Sequence, residues 1–519
     1  MRLAAIDVGS NSVHMVVADV EPDGRITVVD RMKEMVRLGR RAFRTGRLSD
    51  EAMELASEAM NTFARLARAR RVERVRAVAT SAVREAVNGA AFVRRLRRET
   101  GLPVKIISGP EEARLIFRAA HHALGLDGGP HLLLDVGGGS VELVLVHDGR
   151  PIWMKSLPLG VARLTERFLL HDPPSRREIQ RLERHLQREM GELLVGARHA
   201  GVTRVVGTSG TVNGLVAMAR AARGDDVGRL HGAHARSREI ARLRRRILAL
   251  PAARRAGLAG IDTKRVDLMP AAAAVADFVL ARTGAPELVA CGWALREGVL
   301  LEIAAASRAF QPGAGRPRRR SVEALAAQFA GANAHGRQVA RLALALFDSI
   351  APALGVRAAA RELLEYTALL HDIGHAIDHD RHHQHSCYLI RNAELLGFAR
   401  LEVEVMAQVV RGHRKQVPKL ADPDLRALPR PMARTVRGLA ALLRVADALD
   451  RTHFDVVRTL DVALRPARLT ITVESAANHP ELELTAAQRR TDMLARLLDR
   501  PVVLRWRRAA KAEVKARAS

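Results

Sequence analysis

The stretch IDVGSNSVHM, residues 6–15, is written almost again as LDVGGGSVEL at 134–143. Asp, Val, Gly, Ser and Val recur in register, from Asp7 to Val13 and from Asp135 to Val141, 128 residues apart. Apolar runs flank both turns, so each copy reads as a hairpin whose tip carries small residues. Glycine has no Cβ and lets backbone N–H groups approach an anion closely, while Ser and Asn add hydroxyl and amide donors. A carboxylate repels phosphate, so Asp7 and Asp135 are suited to hold a divalent cation, or its waters, beside it. Two such turns in register predict duplicated subdomains that grip one cleft from both walls.

Outward from the turns, apolar periodicity near 3.6 predicts helices over 49–70 and 112–125. VRAVATSAVREA, residues 75–86, reads as a strand running into a helix, with Thr80 and Ser81 at the junction. VTRVVGTSGTVNGLVAMA, residues 202–219, reads as a strand, a Gly-rich turn and a helix. This alternation predicts an α/β region divided into subdomains 1–125 and 126–305. Residues 306–321, rich in Gly, Pro and Arg, read as a basic linker. An all-α, His-rich domain is expected over 322–455 and a small α+β domain over 456–519.

The chain of 519 residues is too long for one core. Its 84 Lys+Arg against 56 Asp+Glu give a net charge of +28, which suits either a polyanionic partner or Arg-rich solvated helix faces. Aromatic residues make up 3%, too few for the stacking platforms of single-strand binders, so nucleic acid is disfavoured as a partner. Two cysteines, Cys291 and Cys387, build no disulfide framework. With neither a secretory leader nor a membrane-spanning apolar run, a cytoplasmic location is expected.

ISGPEEARLIF, residues 107–117, opens a helix. Ser108 and Glu111 have capping-box spacing, and Pro110 with two acids suits a first turn. Capping gives Glu111 a role. For Glu112 the residues alone favour a solvated first-turn acid over a functional one.

AIDVGSNSVHMVVA, ATSAVREAVNGAAF, IISGPEEARLIF, LLDVGGGSVELVL, SLPLGVARLTERF, GTSGTVNGL and ALREGVL are spread through residues 3–305. Together they resemble the exopolyphosphatase and guanosine pentaphosphate phosphohydrolase family, on the duplicated actin/Hsp70/sugar-kinase (RNase H-like) superfold. The resemblance implies that Glu112 orients the attacking water. It implies phosphate binding by Gly9, Ser10, Asn11 and Ser12, by Gly137, Gly138, Gly139 and Ser140, by Arg84, and by Gly207, Thr208, Ser209, Gly210 and Thr211. It also implies Mg²⁺ or Mn²⁺ at Asp7, Asp135 and Glu142, and a homodimer. The expected activity is hydrolysis of the terminal phosphoanhydride of inorganic polyphosphate. The alternatives are guanosine pentaphosphate hydrolysis and a non-catalytic sensor of either compound. After Pro270 the chain has Ala271 and Ala272 where the family usually has Gly.

Eight of the 20 histidines lie between 335 and 413. The order His335, His371–Asp372, Asp447 resembles the HD metal-dependent phosphohydrolases. That resemblance implies a divalent transition metal on these four residues. His385 and His413 could hold a second.

Overall fold

The computed structural model describes residues 1–22, 24–225, 228, 230–306, 317–330, 333–414, 417–475 and 480–508. They form two units, Met1–Pro317 and Arg318–Ser519.

The first unit holds two sheets of one design. Strands β1 (Arg2–Val8), β2 (Ser12–Val20), β3 (Ile26–Met35), β4 (Arg74–Ala79) and β5 (Val104–Ile106) make a sheet ordered β3-β2-β1-β4-β5. Strands β6 (His131–Val136), β7 (Val141–His147), β8 (Arg150–Leu157), β9 (Arg204–Gly207), β10 (His234–Arg236) and β11 (Glu287–Ala290) make the second, ordered β10-β11-β9-β6-β7-β8. In each, the strand before the Gly-rich turn pairs antiparallel with the strand after it and parallel with the next strand along. The central strands β1, β2, β6 and β7 are almost wholly buried, as their near-continuous apolar runs require.

Two helices cross between the lobes and blur the boundary expected at residue 125. Gly109–Leu124 packs against β7 and β8 of the second lobe, while Leu295–Ala305 returns to lie on β1 of the first. The two also pack on each other, and Glu302 receives both Arg114 and Arg76. Both helices carry small apolar residues on the faces they bury, so each is covered by two partners. Ala271 and Ala272 begin the buried face of an ordinary helix, Met269–Thr283, with Pro270 in its first turn.

In the second unit, helices dominate up to Ala448 and a sheet ordered β12-β13-β14 follows, from Val457–Arg465, Arg468–Ser475 and Val502–Arg508. Val457, Ile471, Val473 and Met493 share one core with Leu342, Leu439 and Leu443, so the tail expected to stand alone completes the helical body instead. Residues 307–316 of the expected linker lie outside the described residues. Its end is a correction: the helix Pro317–Ala330 starts there, with proline at a first-turn position. Arg318 pairs with Glu362 and Glu402, and Arg319 with Glu323 and Glu365, so these cations are internally matched. Among the described residues, no helix is long and apolar enough to cross a membrane.

Candidate active site

The two turns that recur in the sequence meet face to face. Each is closed by the same bond, Gly9 N–H to Ser12 O at 3.2 Å and Gly137 N–H to Ser140 O at 3.0 Å. A Cβ on Gly139 would lie 2.4 Å from Ser81 Oγ, 2.5 Å from the Phe43 ring and 2.8 Å from Ser10 Oγ, so only glycine allows this approach of the lobes. The carbonyls of Gly137, Gly138 and Gly139 accept from the N–H groups of Val161, Ala162 and Gly160. With its carbonyls engaged on that side, the turn has amides left to offer an anion. A cleft of about 240 Å³ lies between the turns, lined by both of them, by 208–211 and by Glu112.

Register decides what stands at the turn bases. Asp7 faces His14 across β1–β2, and Asp135 faces Glu142 across β6–β7. Asp135 Oδ2 accepts from Thr208 Oγ1 at 2.5 Å, and Glu142 Oε1 from Ser156 Oγ at 2.8 Å. Asp7 Oδ1 is buried with no hydrogen-bond partner. Burial pushes the Asp7 carboxyl up to about 7 and that of Asp135 to about 6, and drives Glu142 well above the usual range with Glu112 and Asp135 adding repulsion. Arg296 offsets only part of the burial of Asp7, and buried acids with one oxygen orphaned are a donor set that a hard divalent ion fits.

Glu112 is 7% exposed, at the start of Gly109–Leu124. Ser108 Oγ caps this helix by accepting from Glu111 N–H at 3.2 Å. The reciprocal half of the expected capping box gives way to ion pairing: the Glu111 carboxylate meets Arg76 at 3.0 Å and Lys105 at 3.4 Å. Arg84, which the resemblance gives to phosphate, lies near the end of the short helix Ser81–Glu85. Its Nη1 donates to Glu112 Oε2 and to Ile107 O, both at 3.0 Å. Burial raises the Glu112 carboxyl to about 7 against the pull of Arg84.

Ser209 caps Gly210–Ala221 by accepting from Val212 N–H at 3.1 Å, which presents the helix N-terminus to the cleft. Thr80 and Ser81 line the same cleft from the first lobe. They stand 128 residues before Thr208 and Ser209, the same offset as the turns, a repeat that the sequence reading passes over. It also misses His14, Arg265 and Arg296, which line the cleft. Burial and the cations Arg296, Lys33 and Arg265 lower His14 to about 2, so its imidazole is neutral. Arg265 Nη1 lies 3.4 Å from Thr211 Oγ1.

Residues 16–306 match the model of the Ppx/GppA phosphatase family, and residues 318–496 match that of Ppx/GppA phosphatase, domain III. The chain belongs to the Ppx/GppA phosphatase family. The guanosine-5'-triphosphate,3'-diphosphate pyrophosphatase of Vibrio vulnificus is 28% identical over 94% of this chain and 96% of its own length. Exopolyphosphatase 1 of Mycobacterium leprae is 35% identical over 58% of this chain and 89% of its own. Among solved structures, an exopolyphosphatase from Cytophaga hutchinsonii is 27% identical with a TM-score of 0.56, covering 60% of this chain and 100% of that one. The Aquifex aeolicus Ppx/GppA family member is 29% identical with a TM-score of 0.52, covering 59% and 99%.

The domain III region of this Ppx/GppA phosphatase gathers four of its expected ligands. His371 Nε2 is 3.5 Å from Asp372 Oδ2 and from Asp447 Oδ1, and His335 Nε2 is 3.7 and 3.5 Å from the same two oxygens. His371 and Asp372 follow the end of the helix Arg361–Leu370 and precede the 3₁₀ turn Ile373–Ala376. Leaving the α-helix is how adjacent side chains can converge. His413 joins the group and His385 does not: its Nε2 is turned to Asp378, 4.0 Å away. His382 takes the expected place of His385, 3.3 Å from Asp372 Oδ1.

Proposed function

We propose that the cleft hydrolyses the terminal phosphoanhydride of a polyphosphate chain and releases orthophosphate. The observation that carries this reading is the pairing of Glu112 with Arg84 beside two glycine turns that converge from both lobes. Amides and hydroxyls of Gly9–Ser12, Gly137–Ser140 and Thr208–Thr211 would receive the terminal phosphate oxygens. Arg265 and Arg296 would meet the next phosphates. Glu112 would accept a proton from the in-line water as its oxygen bonds to phosphorus and the bridging P–O bond breaks. A carboxyl near 7 suits this role, because it is part-ionised at neutral pH and still basic enough to take the proton.

Asp7, Asp135 and Glu142 would hold Mg²⁺ or Mn²⁺. Bound there, the cation would neutralise charge on the phosphoryl oxygens.

Guanosine pentaphosphate is the second reading, favoured by the near full-length match to the Vibrio pyrophosphatase. The test is phosphate release from long-chain polyphosphate, guanosine pentaphosphate and ATP at equal concentration. Polyphosphate should have the highest kcat/KM. A higher value for guanosine pentaphosphate would give the site to the alarmone, and no release from any of the three would remove the reading.

A further inference from the structure

The hydroxyl of Ser81 stands where the two glycine turns meet. Ser81 lines the cleft and is 1% exposed. A Cβ on Gly139 would lie 2.4 Å from Ser81 Oγ and 2.8 Å from Ser10 Oγ. The two serines differ in what they have left to offer. Ser10 Oγ accepts from Ala82 N–H at 3.2 Å and keeps its proton. Ser81 Oγ donates its proton to Glu85 Oε1 at 2.7 Å. A hydroxyl has one proton and two lone pairs, so Ser81 turns an acceptor toward the cleft, not a donor.

Glu85 is itself held. Its other oxygen, Oε2, accepts from Arg163 Nη2 at 2.6 Å, and Arg163 Nε donates to Gly139 O at 3.0 Å. Gly139, Arg163, Glu85 and Ser81 thus stand in a ring that runs through both lobes. Among the described residues the cleft lining includes Ser81 and not Glu85, so the carboxylate reaches the cleft through the serine hydroxyl.

An acceptor is ill suited to a phosphate, whose oxygens are acceptors too. It suits the attacking water. Water in line with the breaking bond aims a lone pair at phosphorus, so both of its protons point away and each needs an acceptor. Glu112 supplies one. Two cleft hydroxyls give their protons to a carboxylate, Ser81 to Glu85 and Thr208 to Asp135. Of these, Ser81 shares a helix with the partner of Glu112: Arg84, also in Ser81–Glu85, donates to Glu112 Oε2 at 3.0 Å.

We infer that Ser81 is a catalytic residue that accepts a hydrogen bond from the second proton of the attacking water, and that Glu85 is the positioning residue that keeps it an acceptor. This rests on the reading of the cleft as a phosphoanhydride hydrolase. The water oxygen bonds to phosphorus as the bridging P–O bond breaks. One water proton passes to Glu112, and the other stays on the new phosphate oxygen, hydrogen-bonded to Ser81 Oγ.

The test is turnover of long-chain polyphosphate by the full-length protein, in water and in water–methanol. In water, Ser81→Ala should lower kcat roughly tenfold, the size of one hydrogen bond, with KM little changed. Glu85→Ala should lose as much, and the double variant no more, because Glu85 acts through Ser81. Glu85→Gln, whose amide oxygen still accepts from Ser81, should keep most of the turnover. Methanol has one hydroxyl proton and needs Glu112 alone. The ratio of methyl phosphate to orthophosphate, read by phosphorus NMR, should therefore rise in Ser81→Ala by the factor lost in water. That ratio does not depend on how much of the variant folds. The inference is overturned by a raised KM at unchanged kcat, which gives Ser81 to the phosphate, by additive losses in the double variant, or by an unchanged product ratio. Wild-type protein that releases phosphate from neither polyphosphate, guanosine pentaphosphate nor ATP removes the reading of the cleft, and this inference with it.

Discussion

Arg84 donates to Glu112 at 3.0 Å, and the same Nη1 is held at 3.0 Å by the carbonyl of Ile107, just after the strand leading into the Glu112 helix. The guanidinium therefore fixes both the direction and the charge of the carboxylate. It opposes the burial that raises Glu112 to about 7. Replacing Arg84 with Ala should move the acidic limb of the kcat/KM profile to higher pH. Turnover lost at pH 7 should be partly regained near pH 9, and Arg84→Lys should lie between. An Arg84→Ala profile that keeps its shape and drops uniformly would assign Arg84 to phosphate instead.

Glu112→Gln keeps the helix start and removes the base. Turnover should fall by roughly 10²-fold or more, the usual size for a positioned acid–base group, with KM little changed. Glu111→Gln is the control. It disrupts the part-exposed pairs to Arg76 and Lys105, worth about 1 kcal/mol or less, and should leave turnover alone. Steady-state kinetics on both variants distinguish the two neighbours. A dead Glu111→Gln beside an active Glu112→Gln would reverse the assignment.

The buried acids also set a pH dependence of stability. Asp7, Asp135, Glu112 and Glu142 all have carboxyl pKa values raised by folding. Between the ordinary carboxylate range and about 7 the folded protein binds more protons than the unfolded chain, so their contribution falls as pH rises. Metal-free protein should therefore show a Mg²⁺-induced rise in Tm that is small at pH 5 and grows to a few degrees at pH 8. Differential scanning fluorimetry at several pH values measures it. An equal rise at both pH values would mean that the cation does not answer these carboxylates.

The duplicated turns were legible because their function needs the same small residues twice and because strand alternation flanks both copies. The parallel repeat of Thr80–Ser81 at Thr208–Ser209 was written just as plainly, yet its flanks differ, Ala79 against Gly207. Arg265 has no local signal, and His14 and Arg296, though inside IDVGSNSVHM and ALREGVL, are each one residue of a common type whose place in the cleft depends on pairing and crossover. The choice of His385 over His382 was avoidable. In the helix His382–Asn392 the buried residues are 382, 383, 386, 387 and 390, and His385, two positions beyond 383, falls off that face. The Glu111 side chain illustrates a tertiary override, since a cap suggested by spacing lost to the cation of Arg76 on β4.

A clasp across the first unit gives the last prediction. Arg163, at the start of a second-lobe helix, places its guanidinium 4.1 Å from the centre of the Phe43 ring and donates to Glu85 Oε2 at 2.6 Å, both in the first lobe. Its Nε donates to Gly139 O at 3.0 Å, which ties the clasp to the phosphate turn. Arg41 N–H to Glu166 Oε1 at 2.8 Å makes a second bond between the lobes. The Arg163 contacts are part-exposed, so together they favour the closed cleft by about 1–2 kcal/mol. Arg163→Ala should shift the balance toward open by roughly 5–30-fold. Amide exchange should quicken at 39–45 and 81–85, where the first lobe meets the turn, while β1 and β6 stay protected. Because closure brings both turns onto one phosphate, kcat/KM should fall with it. Unchanged exchange at 39–45 with a full loss of activity would place Arg163 on the substrate rather than in the hinge of the cleft.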